Sequence, residues 1–131
     1  MQSIQLIAKI YNNKWWKDLF IHYASIGESF EIRCWDEEIE SIDLISEFGT
    51  VEKSKTTKEI IISGNITNKF IDLIVKEKMP VDQNIYNKMT QFFTINIDKA
   101  FSSCHYGTEI YIDEDEEYAK KILDKIKNFC V

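Results

Sequence analysis

The spacing of apolar residues changes repeatedly between a period near four and a period of two, and this pattern restricts the fold class. Trp15, Leu19 and Tyr23 recur every fourth residue, which predicts a helix over residues 13–25. Apolar and polar residues alternate in Ser29–Trp35, which is typical of a half-buried strand. Only four glycines and one proline interrupt these patterns, so we expect a folded chain rather than a disordered one.

The same reasoning predicts three more helices and several more strands. Helices are predicted over residues 36–48 before Gly49, from a cap at Thr67 to Met79 before Pro80, and over residues 113–129, with a short helical piece over residues 81–90. Asp113 and Glu116 have the spacing of a capping box. Strands are predicted as a hairpin within residues 50–63, and over residues 92–98 and 108–112. The first ten residues fit either a strand or a helix.

About four helices therefore interleave with about five strands. The hairpin within residues 50–63 argues against a purely parallel sheet. We expect an α+β fold in which a mixed or antiparallel sheet packs against the helices. The length of 131 residues suits a single domain over residues 1–131.

Acidic residues are concentrated in two segments that contain no lysine or arginine. Residues 34–52 hold seven carboxylates, and residues 100–119 hold six. The formal net charge of −6 thus arises from −7 and −6 in these segments against +7 elsewhere. A field with this direction acts on association and on the choice of partner rather than on the fold. It favours a basic partner.

The first acidic segment coincides with the predicted helix over residues 36–48. At about 100° per residue, four carboxylates fall within about 60° of arc, opposite the apolar stripe of Ile39, Ile42, Ile45 and Phe48. This acidic ridge consists of Asp36, Glu40, Asp43 and Glu47. Like charges at these spacings each cost a few tenths of a kcal/mol, so helix stability alone does not explain the ridge. Three interpretations stay open: a solvated face, a docking surface for a basic protein, and a metal site.

The second acidic segment contains the run from Asp113 to Glu117 at the start of the last predicted helix. Acids in a first turn complement the helix dipole, which explains the run without a ligand. A calcium loop needs a glycine among its acidic ligands, but Gly107 precedes this run. Neither acidic segment has a recognised metal-ligand spacing, so the sequence predicts no metal and no cofactor.

No motif in the sequence specifies a reaction. The signatures of serine hydrolases, zinc proteases, P-loops and dinucleotide-binding folds do not occur. Cys34, Cys104 and Cys130 are odd in number and far apart, which favours free thiols over disulfides or a zinc site. Cys104 and His105 are adjacent, but chain neighbours point in different directions and do not form a nucleophile and its base. The sequence therefore predicts a protein that is not an enzyme.

Nucleic acid and membranes are poor partners for this composition. Binding to phosphates depends on lysine and arginine, whereas this chain is acidic and Arg33 is its only arginine. Trp15 and Trp16 offer a stacking surface only if one of them is exposed. No stretch approaches the roughly 18 apolar residues of a membrane span, and the first residues lack the pattern of a secretory signal. We expect a cytoplasmic protein.

Together these observations predict a non-enzymatic protein that binds a basic protein through an acidic surface. The specific expectation is a bacterial immunity or antitoxin-type inhibitor that covers the active site of a basic nuclease toxin. The expected partner-binding residues are the acidic ridge, one aromatic anchor and part of the second acidic segment: Asp36, Glu40, Asp43, Glu47, Trp35, Glu109, Asp113 and Asp115. Two alternatives stay open. One is an oligomeric structural protein, and the other is an enzyme or ligand-sensing module with a pocket near Tyr86, His105, Tyr106 and Glu109.

Overall fold

Seven strands form one antiparallel sheet in the computed structural model, which describes residues 2–9, 13–77 and 88–126. The strands are β1 (Gln2–Ile7), β2 (Ser29–Trp35), β3 (Thr50–Lys53), β4 (Glu59–Asn65), β5 (Thr94–Ile97), β6 (Phe101–Cys104) and β7 (Glu109–Glu114). The helices are α1 (Asn13–Ile26), α2 (Ile39–Ser46), α3 (Asn68–Lys76) and α4 (Glu116–Ile126). The strand order is β1-β7-β6-β5-β2-β4-β3, so β1 and β3 are the edge strands.

Alternation along the strands divides the sheet into a covered face and an open face. Apolar side chains such as Ile32, Ile62 and Ile95 are buried on the covered face. All four described helices contribute side chains to the same core, so they lie against this face. The alternate residues of each strand point to the other side, and no described helix packs on this open face.

Helix α1 contributes the largest buried side chains. Its predicted apolar stripe is buried, and Trp15 and Trp16 are both inside the core. The ring of Trp16 stacks on Phe20 with 5.5 Å between centroids, and its Nε1 donates to Ser103 Oγ at 3.0 Å. Because neither tryptophan is exposed, this pair does not offer a stacking surface for a nucleobase.

The predicted α+β class is confirmed, but the sheet has more strands than the five or so that we expected. The hairpin within residues 50–63 is confirmed as β3 and β4, and β5 lies within the predicted strand over residues 92–98. One additional strand is β1, whose sequence fits either periodicity. The other is β6, whose four residues are too few to show alternation. Both strands are defined by their partners in the sheet rather than by local pattern.

Helices α2 and α3 are shorter than predicted. Helix α2 begins at Ile39 because the residues before it form a turn, in which the backbone N–H of Glu38 donates to Trp35 O at 2.9 Å. Helix α3 has the predicted cap, since Thr67 Oγ1 accepts from the N–H of Phe70 at 3.1 Å. It ends at Lys76, because the next residue is extended. Met79, Pro80 and residues 81–87 lie outside the described residues, and residues 88–90 are not helical.

Strand β7 extends further than predicted and shortens the last helix at its start. Asp113 and Glu114 were expected in the helix, but they pair with β1 and belong to the strand. Helix α4 therefore begins at Glu116, and Asp115 Oδ1 accepts from the N–H of Tyr118 at 2.8 Å. The predicted capping box is wrong, because pairing with β1 outweighs the local preference for a helix.

Candidate interaction surface

Three hydrogen bonds and one apolar residue fix the inner side of α2 to the rest of the protein. Before the helix, Glu38 Oε1 accepts from the N–H of Trp35 at 2.7 Å, and Glu38 Oε2 accepts from the hydroxyl of Tyr106 at 3.0 Å. Within the helix, Ser41 is buried and its Oγ donates to Gln91 Oε1 at 2.8 Å. Ile45 is fully buried in the core. These contacts set the orientation of the outer side of α2.

The acidic ridge lies on that outer side. Glu40 and Asp43 are exposed within α2, and Glu47 is exposed at its C-terminal end. Asp36 lies in the preceding turn instead of the predicted helix, and it is also exposed. In the described part of the chain, no lysine or arginine forms an ion pair with any of these four carboxylates. The ridge therefore presents its negative charge to solvent.

Two large apolar side chains are exposed beside the ridge. Ile39 is 64% exposed and Leu44 is 42% exposed. At helical spacing, Ile39 adjoins Asp43 on one side of the ridge, and Leu44 adjoins Glu40 on the other. The expectation that Ile39 faces the core is wrong, because α2 turns its Ile45 side inward and thereby directs Ile39 outward.

Trp35 directly precedes Asp36 of the ridge, whereas the other predicted partner-binding residues lie away from it. Trp35 is half-buried at the end of β2, where its ring lies 4.9 Å from that of Phe93. Strand β7 places Glu109 and Asp113 on the open face, and Asp115 caps α4. Because α2 packs on the covered side of the sheet, the structure does not bring the two acidic segments together.

The turn between β6 and β7 contains three consecutive residues with positive φ. His105 has a φ of 51°, Tyr106 a φ of 59° and Gly107 a φ of 88°. For the two residues with a Cβ, this backbone costs about 1–2 kcal/mol each. Nε2 of His105 lies 3.5 Å from Glu109 Oε2, whereas Tyr106 is buried on the side of α2. The alternative pocket is thus only partly assembled, and Tyr86 lies outside the described residues.

The described cysteines do not form a catalytic thiol site. Burial, together with the nearby charge of Glu38, raises the pKa of Cys34 to about 12 and keeps its thiol protonated. Cys104 is half-buried on the open face, with its Sγ 3.4 Å from Ser102 Oγ. Among the described residues, no histidine forms a hydrogen bond to either sulfur.

Within residues 2–9, 13–77 and 88–126, no three His, Cys, Asp or Glu side chains are grouped to hold a metal ion. None of the helices in these ranges combines the length and the apolar character needed to cross a membrane. Comparison of the chain with protein-family models, with curated proteins and with solved structures gives no match.

Sequence reasoning missed the apolar part of this surface and the contacts that orient it. The exposure of Leu44 could have been predicted from the sequence, because Leu44 lies outside the apolar stripe of every third residue and on the polar side of the helix. The contact between Glu38 and Tyr106 could not have been predicted in this way, because the two residues are distant in sequence and meet only in the folded chain.

Proposed function

We propose that this chain is a non-enzymatic binding protein that engages a basic protein through the acidic ridge and the two exposed apolar residues beside it. The form we favour is an immunity-type inhibitor that acts in the cytoplasm and covers the active site of a basic nuclease toxin. One observation supports this proposal above others. Ile39 and Leu44 are exposed on either side of a row of carboxylates that pairs with no described lysine or arginine.

The exposed apolar residues supply an attraction that acidity alone does not. Burying a large aliphatic side chain completely is worth about 1.5–3 kcal/mol. Because Ile39 and Leu44 are already partly buried, a partner that covered them would gain about 1 kcal/mol from each. A helix face that contacts only solvent gains no stability from exposing Ile39 and Leu44. Apolar anchors with charged residues around them are the usual pattern of an energetic centre in an interface.

The carboxylates explain the choice of a nuclease as the partner. A nuclease cleft carries lysine and arginine side chains that bind a row of phosphates. Glu40, Asp43 and Glu47 of the ridge present a comparable row of negative charges from one side of α2, so they match the same cleft. A bound inhibitor then excludes the substrate by occupying its place. Exposed charges of this kind act mainly on the rate of association, which they raise at low salt.

The proposal predicts that a neighbouring gene encodes a basic nuclease, and the association rate with that nuclease tests the role of the ridge. Replacing both Glu40→Lys and Asp43→Lys should slow association at low salt by about tenfold or more and reduce its salt dependence. The control, Asp72→Lys with Glu117→Lys, makes the same change in net charge at exposed positions outside the ridge. Equal association rates for the wild type and the Glu40 and Asp43 variant would show that the ridge is only a solvated face.

The dissociation rate tests the apolar part of the same surface. Replacing both Ile39→Ser and Leu44→Ser should speed dissociation by about thirtyfold, because the two side chains together contribute about 2 kcal/mol and every 1.4 kcal/mol corresponds to a factor of ten. Association should change little, because the charges that steer the encounter are unaltered. Circular dichroism checks that the helix content is kept. An unchanged dissociation rate in a folded variant would contradict the proposed anchors.

A further inference from the structure

The open face of the sheet is a second surface with one predominant sign of charge. Strand alternation and register place five carboxylates and one guanidinium on it, with Glu59 the one carboxylate that is buried: Glu31, Glu52, Glu59, Glu109, Asp113 and Arg33. The guanidinium is already committed, because Arg33 Nε lies 3.2 Å from Glu31 Oε2 and Nη1 lies 3.6 Å from Glu59 Oε1. In the described part of the chain, no other lysine or arginine pairs with these carboxylates. The face is therefore negative.

Hydrogen bonds between neighbouring strands hold the polar side chains of this face in place. Asn96 Nδ2 donates to Glu31 Oε2 at 3.0 Å, and Ser102 Oγ donates to Asn96 Oδ1 at 2.6 Å. Further along the sheet, Gln5 Nε2 donates to the hydroxyl of Tyr111 at 3.2 Å. Side chains that are ordered before binding lose less conformational entropy when a partner arrives.

Two adjoining depressions lie on the open face near the turn after β5. The larger has a volume of about 490 Å³, and its lining includes Glu31 and Asp98. The smaller has a volume of about 230 Å³, and its lining includes Asp98, Asp113 and Lys99. Asn96 lines both. Two carboxylates line each depression, against one lysine in the smaller, so both keep a net negative charge, which suits the cationic end of a lysine or arginine side chain.

The size of the open face matches a protein partner rather than a small ligand. Seven strands about 4.8 Å apart, with four to seven residues each, give a projected area of about 600 Å². A standard protein interface buries about 800 Å² of accessible surface on each partner. The face also has apolar contact points, since Ile7 is 44% exposed and Tyr111 is 37% exposed.

The sign of the charge decides between the classes of occupant. A second copy of this chain would set the same carboxylates against each other across a two-fold axis. Nucleic acid and anionic lipid surfaces are repelled for the same reason. We propose that the open face docks a basic protein surface whose lysine and arginine side chains enter the two depressions. This face and the acidic ridge lie on opposite sides of the sheet, so the inference does not rest on the function proposed for the ridge.

A nuclear magnetic resonance titration of the labelled chain with a lysine decapeptide tests this proposal. The peptide supplies the cationic side chains that the depressions require. We expect amide shifts in β2, β5 and β7 at low salt, and no such shifts with a glutamate decapeptide. Replacing both Glu109→Lys and Asp113→Lys should weaken the binding seen by these amides by about tenfold or more. The control pair Asp72→Lys and Glu117→Lys should change it by less than about twofold.

The same titration separates this proposal from the one made for the ridge. Amides of α2 report binding at the ridge, whereas amides of β2, β5 and β7 report binding at the open face. Shifts confined to α2 would overturn the open-face proposal and support the ridge. Shifts confined to the open face would support the open-face proposal and leave the ridge without support. Equal weakening by both pairs of substitutions would show unspecific attraction to the net charge and would also overturn the open-face proposal.

Discussion

A single carboxylate, that of Asp98, joins the end of β5 to the start of β2. Its Oδ1 accepts from the N–H and the hydroxyl of Ser29 at 3.0 and 2.9 Å, and its Oδ2 accepts from the N–H of Glu28 at 3.1 Å. Desolvation opposes ionisation here, but these hydrogen bonds outweigh it and lower the pKa of Asp98 below its ordinary 3.8. The resulting stabilisation is present above that ordinary value and is lost as the pH falls through the lowered one.

Replacing Asp98→Ala should reduce the free energy of unfolding by about 1–3 kcal/mol, as measured by urea denaturation at neutral pH. The substitution leaves two backbone N–H groups without their acceptor and puts alanine at a φ of 48°. Replacing Asp98→Asn should cost less, because asparagine tolerates this backbone and keeps one acceptor. Lys99→Ala is the neighbouring control and should change stability by less than about 0.5 kcal/mol. An Asp98→Ala variant as stable as the wild type would contradict the role of these bonds.

The pKa of the Glu77 carboxylate is shifted in the opposite direction from that of Asp98. Its Oε1 accepts from Thr90 Oγ1 at 3.0 Å, its Oε2 accepts from Gln91 Nε2, and its backbone oxygen accepts from Lys17 Nζ. Burial outweighs the hydrogen bonds and raises the pKa of Glu77 above its ordinary 4.5. The folded state therefore holds a proton that the unfolded state has lost between these two values. The contribution of Glu77 to stability falls as the pH rises from 4.5 through the raised pKa.

Replacing Glu77→Gln should remove this part of the pH dependence. As the pH rises from 4.5 through the raised pKa of Glu77, the free energy of unfolding of the wild type should fall relative to that of the variant, because only the wild type has a buried group to ionise. Glu28→Gln is the control, because it makes the same substitution at an exposed side chain. Parallel pH profiles for the wild type and the Glu77→Gln variant would show that the burial of Glu77 has no energetic consequence.

At the scale of elements, the connection from α2 to β3 depends on a close approach between two backbones. A Cβ added to Gly49 would lie 2.2 Å from Ser63 O, and one added to Gly64 would lie 2.6 Å from Phe48 O. Rotating a side chain relieves neither contact, because both oxygen atoms belong to the main chain. The two glycines therefore let the end of α2 lie directly against β4.

Replacing Gly49→Ala should lower the free energy of unfolding by about 2 kcal/mol or more, because the backbone of β4 must move. The change should also weaken binding through the ridge, since α2 is displaced from its position. Glu47→Ala, two residues away and exposed, is the control for stability and should have an effect below about 0.5 kcal/mol. Thermal unfolding followed by circular dichroism measures the stability of both variants. A tolerated Gly49→Ala would mean that the two segments have more freedom than the structure shows.

At the scale of the whole molecule, the charge of the ridge should oppose stability rather than support it. Replacing both Glu40→Lys and Asp43→Lys relieves repulsion along one helix side, so the free energy of unfolding should stay constant or rise by up to about 1 kcal/mol. The gain should disappear at high salt, which screens exposed charges. Denaturation at low and high salt measures both effects. A loss of more than about 1 kcal/mol would show that the ridge is structural, and its assignment to binding would lose support.

Local pattern was sufficient for α1, β2, the hairpin of β3 and β4, and the cap at Thr67, because residues close in sequence determine each of them. It was insufficient for β1, for β6 and for the start of α4. Strand β1 pairs with β7 from the opposite end of the chain, with Gln2 beside Glu114, and this pairing extends β7 through residues that locally favour a helix. Hydrogen bonds between such distant segments leave no periodicity in the sequence.

The sequence by itself determined that the acidic residues occupy two segments and that Glu40, Asp43 and Glu47 of the first share one side of a helix. Only the tertiary structure decided where those charges point. Helix α2 directs its ridge outward because Ser41 and Ile45 are buried on its other side. Strand β7 directs Glu109 and Asp113 to the open face because Ile110 and Ile112 between them are buried on the covered face. Burial of apolar neighbours thus separates two acidic segments that sequence reasoning had assigned to one binding surface.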